Sequence, residues 1–268
     1  RHSASPSADA RYHAHMSRVK PDAAPWRDDA HFYAAVQSGF VRKVYAIVAA
    51  QLLVTTAVSA LFMYHGATRD FVLGSSWGGT IATLATFGFL SGAQMYKDSY
   101  PLNMALLGGF TLAISWTVGT LCAILELSGL GGVVFQAVAL TAAATMGLTV
   151  YTLRSKRDFS LLGASLHAGL SVLVWGGLAN MVLVATLGSS AVPDLVSLAL
   201  SLGGACVFAG YICYDTYLLA NRLGPDDYIA AALSLYLDII NLFMDLLRIM
   251  LELQRRREEE EKKKRKQR

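Results

Sequence analysis

The polar and apolar positions of this chain are not mixed evenly. Apolar residues fall into seven blocks, at roughly 43–64, 76–95, 102–126, 130–152, 161–187, 195–220 and 228–252, with short polar interruptions between them. Blocks about 20 residues long match the thickness of a bilayer when wound as α-helix. The alternation over about ten residues that marks transmembrane β-strands is missing from them. The pattern therefore predicts an all-α polytopic membrane protein: a seven-helix bundle forming a single domain over 37–252, its neighbouring helices antiparallel because the connections are short.

Composition agrees. Of 268 residues, 54% are hydrophobic and only 16% charged, where a soluble domain carries about a quarter charged. Residues 1–36 are polar, rich in Ser, Ala and His, and are expected to form a disordered cytosolic segment. Residues 253–268 form a charged tail. Arg1, Arg11, Arg18 and Lys20, with Asp9 the only acid before Asp22, faintly resemble a mitochondrial transit segment, which makes the mitochondrial inner membrane a secondary location. The first apolar block starts too late for a cleaved signal peptide and reads as an anchor. Cys122, Cys206 and Cys213 all lie inside apolar blocks, so they form no disulfide framework and read as small buried residues. Neither a cofactor nor a nucleic-acid partner is implied.

Net charge is only +4, but its placement sets an orientation. Arg42, Lys43, Lys97, Arg154, Lys156, Arg157 and Arg222 fall on the N-terminal side of the alternating blocks, whereas the other side carries Arg69 alone. The positive-inside rule then places the N-terminus in the cytosol. Seven crossings would put the basic tail outside, which conflicts with its charge. Either the seventh block re-enters on the cytosolic side, which backbone surrounded by protein or water tolerates, or it crosses and the tail is translocated. Lys264 and Lys266 resemble a dilysine retrieval signal of the endoplasmic reticulum, which needs a cytosolic tail. The plainer reading is a solvated helix end supported by i,i+4 ion pairs.

The chemistry concentrates in the last two blocks, where Asp215 and Asp238 interrupt hydrocarbon. A carboxylate at a helix centre costs about 2.5–3.5 kcal/mol on insertion scales, and such residues face a bundle interior or a wet path. Counted from the ends of their blocks, Asp215 lies about 8 Å deep and Asp238 about 15 Å, an offset that tilt can close. Two carboxyls in low dielectric tend to share a proton and titrate as a unit. Deprotonated in a wet cavity, they offer hard oxygens to Ca²⁺; protonated, they bond each other and hold the helices shut. Alternatively, each aspartate caps a kink or bonds a nearby hydroxyl such as that of Thr216. Asn241 and Asp245 share a helix face with Asp238. Asp245 can neutralise Arg248 three residues on. His167, in the fifth block, titrates near neutrality when unperturbed and could report pH to the pair, or simply be a satisfied core histidine. Gly74, Gly78, Gly79, Gly203 and Gly204 suit close helix approach.

The stretch 214–248, YDTYLLANRLGPDDYIAAALSLYLDIINLFMDLLR, closely resembles the Bax-inhibitor-motif membrane proteins. Further matches are GFVRKVYAIVAAQLLVTTAV at 39–58, YPLNMALLGGFT at 100–111 and YTLRSKRDFS at 151–160, the last most like the Lifeguard branch. The resemblance covers about 36–252. It implies six helices arranged around a central C-terminal one, pH-sensitive Ca²⁺ leak across an internal membrane (endoplasmic reticulum or Golgi) and suppression of cell death. It also carries the family's pH-sensing pair onto Asp215 and Asp238. One departure is plain: bacterial relatives hold the pair with an arginine in helix 2, and 76–95 contains none.

Three functions compete. The first is a Ca²⁺ leak gated by protons on Asp215 and Asp238. The second is a non-transporting scaffold in the bilayer that binds cell-death or calcium-release partners through its tails. The third, an intramembrane aspartyl protease, needs a GxGD motif where this chain has LYLD, and a Pro-Ala-Leu that it lacks. The chain therefore does not read as an enzyme.

Overall fold

The computed structural model describes residues 25–187 and 194–267, and within them the chain is helical. In order, the helices are α1 Pro25–Tyr64, α2 Gly66–Gly74, α3 Gly78–Met95, α4 Leu102–Leu127, α5 Gly131–Arg154, α6 Leu162–Leu187, α7 Asp194–Asn221 and α8 Tyr228–Lys266, with a 3₁₀ turn at Pro225–Asp227. Helix α1 starts at Pro25, well inside the segment expected to be disordered; a proline at the first helical position costs no hydrogen bond. The expectation for 1–24 lies outside the described residues.

Among the described residues, six helices are long and apolar enough to cross a membrane: α1, α4, α5, α6, α7 and α8. The second block does not reach that standard. It forms α3, only 18 residues long and diluted by Gly, Thr and Gln. The number of helices that qualify as spans is thus six, where the sequence pattern predicts seven. Packing nevertheless sends α3 across the bundle. Gln51 donates to Thr111 (2.9 Å) and Ser115 to Thr55 (3.0 Å), so α1 and α4 run parallel. Between them α3 must return, and it does: Gly92 faces Leu106 and Gly78 faces Trp116. A Cβ at Gly78 would lie 2.9 Å from Trp116, and Gly204 is as tightly placed, whereas Gly74 and Gly79 have open space. Close approach therefore explains two of the glycines and not the others.

Helix α8 packs on α1, α3, α4, α5 and α7, while α6 packs on α7. The side chains of Tyr236 and Leu247 on α8 are wholly buried. Lys43 Nζ sits 3.2 Å above the Tyr228 ring, and Thr55 Oγ1 is 2.8 Å from Tyr236 Oη, so α8 runs parallel to α1. It continues unbroken to Lys266, about 58 Å at 1.5 Å per residue, with no re-entrant turn. The charged tail consequently leaves the bundle at the end away from Lys43. The basic loops gather at the Lys43 end, where Lys97 pairs with Asp227 (3.8 Å). A continuous α8 gives the re-entry resolution no support.

Between parallel α1 and α4 and the central α8 runs a buried polar ladder: Gln51–Thr111, then Ser115–Thr55–Tyr236. With hydrocarbon on both sides of the unfolding equilibrium, helices in a bilayer associate through packing and such bonds rather than through exclusion of water. The ladder fixes the height of α8 against its neighbours, and so the height of the site it carries.

Candidate functional site: a carboxyl pair beneath a polar cavity

Asp215 on α7 and Asp238 on α8 meet: their carboxyls hydrogen-bond to each other. The packing of α7 on α8 closes the offset expected from their depths. Asp238 is 7% exposed and Asp215 partly buried. Asp238 Oδ2 is buried, and no N–H or O–H donor among the described residues reaches it; a bond between two carboxyls exists only while one of them carries a proton. Thr216 does not serve Asp215. Its hydroxyl is 2.9 Å from Tyr45 Oη, which also donates to Thr149 (3.3 Å), tying α1, α5 and α7 together just below the pair.

The surroundings are aromatic and poor in cations. Tyr211 lies close enough to both aspartates to feel their charge, and its buried Oη has no hydrogen-bond partner. The His167 ring packs edge-on to Tyr211 at 5.8 Å and interacts electrostatically with Asp215. Its Nδ1 lies 2.7 Å from the Gly163 carbonyl, which requires the proton on Nδ1. Among the described residues, no lysine or arginine acts on either carboxyl. Arg69 pairs with Asp70 (3.8 Å) on α2.

Above the pair, α6, α7 and α8 enclose a cavity of about 700 Å³. Asn241, one turn beyond Asp238, lines it, as do Asn180, Ser201, Asp245, Arg248 and Glu252. Asp245 Oδ1 is 3.6 Å from Arg248 Nη1, and its carboxyl presses directly on Gly204 of α7. Any side chain at 204 would collide with it, which is why α7 carries glycine there. The polar face of α8 thus runs from the tail end, through Asp245 and Asn241, to Asp238.

Two aspartates supply at most four oxygens, and Ca²⁺ takes six to eight ligands. Among the described residues no group of three or more His, Cys, Asp or Glu converges to hold a metal ion.

The polar ladder was missed in the sequence, although it left a trace. Gln51, Thr55 and Ser59 recur every fourth residue on α1, and Thr111, Ser115 and Gly119 do so on α4. Matched stripes of small polar residues are what two closely packed membrane helices show.

Residues 37–256 match the family described as "Inhibitor of apoptosis-promoting Bax1". The "Golgi anti-apoptotic protein" of Vaccinia virus (strain Lister) is 41% identical over 215 residues, covering 80% of this chain and 86% of the viral protein. "Protein lifeguard 4" of Mus musculus is 39% identical, covering 80% and 85% respectively. "Bax inhibitor 1" of Schizosaccharomyces pombe is 34% identical over 220 residues, covering 82% and 79%. The chain belongs to the Bax inhibitor-1/Lifeguard family of non-enzymatic, anti-apoptotic membrane proteins.

Proposed function

We propose that this protein is a pH-sensitive Ca²⁺ leak of the Golgi or endoplasmic reticulum membrane, its N-terminus cytosolic, and that draining the store is how it restrains cell death. The location rests on the Golgi named for the Vaccinia relative, and the orientation on the basic loops gathered at one end. The observation that carries the reading is the carboxyl–carboxyl bond between Asp215 and Asp238 with no lysine or arginine against it. A shared proton closes the bond and holds α7 on α8. Its loss leaves two facing anions, which repel each other, attract a cation and open toward the polar cavity above. The path counts seven crossings, with α3 as the return between parallel α1 and α4. Leak therefore rises as pH rises.

Ca²⁺ efflux from reconstituted vesicles across a pH series tests this. Wild-type efflux should climb with pH, and Asp215→Asn should flatten the climb. Wild-type flux indifferent to pH would overturn the proposal.

A scaffold role has one observation in its favour. Beyond the bundle α8 continues as a charged helix stapled by Arg255–Glu252 (3.0 Å), Arg256–Glu252 (2.7 Å) and Arg255–Glu259 (3.9 Å), a rigid surface for cell-death regulatory proteins. Deleting 253–268 separates the roles: protection lost with flux intact assigns protection to the tail.

A further inference from the structure

A second cavity lies away from the carboxyl pair. Helices α1 and α5 both rest on α8 and are tied near the basic end by Tyr45 and Thr149. Above that tie they enclose a groove of about 440 Å³. Its α1 wall runs from Leu52 to Tyr64 and its α5 wall from Val134 to Met146; Cys122 of α4 and Ile239, Ile240 and Phe243 of α8 make the floor.

Each wall covers the same run of helix, about 18 Å at 1.5 Å per residue. Half of a hydrocarbon core about 30 Å thick is about 15 Å. The groove is thus one leaflet long and lies along the direction in which lipid chains lie. Its rim is continuous with the lipid-facing flank: Tyr64, Phe135 and Met146 are 59%, 62% and 63% exposed. Its floor is out of reach of lipid at the outer surface, with Ile239, Ile240 and Phe243 all below 9% exposed. Ser59, buried on the α1 wall, turns its hydroxyl to the Cys122 thiol; the rest of that wall is aliphatic side chains, back-bonded threonines and Tyr64.

We infer that this groove is a binding site for one acyl chain of a glycerophospholipid from the leaflet at the Tyr64 end, held by apolar shape between α1 and α5. Hydrocarbon is the one chemistry the bilayer presents along this flank, and the leaflet-length trough accepts it lengthwise. The site does not depend on ion conduction, and its test is read without it.

The protein is reconstituted in phosphatidylcholine vesicles doped with a phosphatidylcholine bearing a diazirine near the end of one acyl chain, photolysed and mapped by peptide mass spectrometry. Adducts are expected on the groove walls and on the floor residues Ile239–Phe243, at least fivefold above those at Val172 and Trp175, which are 68% and 70% exposed on α6. Ala60→Phe with Ala142→Phe fills the trough and should reduce floor adducts to the α6 level. Ser59→Ala should leave them within twofold, because an acyl chain makes no hydrogen bond there. An unlabelled floor in the wild-type protein overturns the inference, whether or not the filled variant folds. So does labelling lost in Ser59→Ala, or labelling by a photoreactive sterol in place of the phospholipid; either identifies a hydroxylated lipid.

Discussion

Asp238→Asn isolates the proton that the proposed mechanism needs. The change keeps the shape of a side chain buried against α7, so the fold should persist. The amide N–H is a permanent donor to Asp215 and reproduces the closed bond without a titrating proton. In the wild-type protein, deprotonation sets two negative charges face to face. At about 4 Å separation and an effective dielectric near 20 they repel by about 4 kcal/mol, enough to shift an open–closed equilibrium by about a thousandfold. In the variant one charge remains, and the bond it accepts from the amide contributes about 1.5–3 kcal/mol toward closure. Efflux of entrapped Ca²⁺ should therefore be at least tenfold below wild type at the alkaline end of the series and nearly flat with pH, with an unchanged melting temperature in detergent. A variant that folds normally and keeps the wild-type rise would refute the reasoning, because a single carboxyl would then suffice.

Three further outcomes follow from the packing. Gly204→Val forces the Asp245 carboxyl off α7, at an overpacking cost of about 1–3 kcal/mol, and thermal unfolding in detergent should show the loss. Thr55→Val and Tyr236→Phe each break the ladder between α1 and α8, at about 1 kcal/mol each, and the double variant should cost less than their sum. Asp158 accepts from the Ser160 N–H at 2.8 Å, and hydrogen bonds from the Ser160 hydroxyl and backbone and from Tyr217 hold its carboxyl down to about 2. Its folded value lies below the ordinary one, so its contribution is present above pH ~4 and lost as pH falls through about 2; NMR titration of the labelled carboxyl should give that midpoint, and Asp158→Ala should make the 155–161 loop more sensitive to protease.

The carboxyl pair was legible because an ionisable group in hydrocarbon is expensive, so two of them on adjacent blocks stand out without any structure. The Asp245–Arg248 contact and the face that Asn241 shares with Asp238 follow from helix periodicity, whereas the meeting of the two aspartates depends on the packing of α7 on α8. Three features resisted the same reading. The second block looked like a span because its leucines and phenylalanines are conspicuous, while its glycines and threonines, two of which (Gly78 and Gly92) let α3 approach α4, lower its apolarity. The fate of α8 could not be read because a run of Arg, Glu and Lys suits both a solvated end and a continuing helix, and only the i,i+4 ion pairs along Glu252–Glu259 decide it. The absent helix 2 arginine posed a question that composition cannot answer, since the group facing Asp215, His167, comes from a different helix and reaches it only through the packing of α6 on α7.

The central claim is that Asp215 and Asp238 hold one proton between them while the path is closed. Infrared difference spectroscopy of the protein in vesicles, recorded along the same pH series as Ca²⁺ efflux, measures that proton directly. The account predicts a carbonyl band of a protonated carboxylic acid that disappears over the pH interval in which efflux rises, and that is missing or displaced in both Asp215→Asn and Asp238→Asn. A band that is unchanged in both variants, or one that vanishes while efflux stays constant, would contradict it.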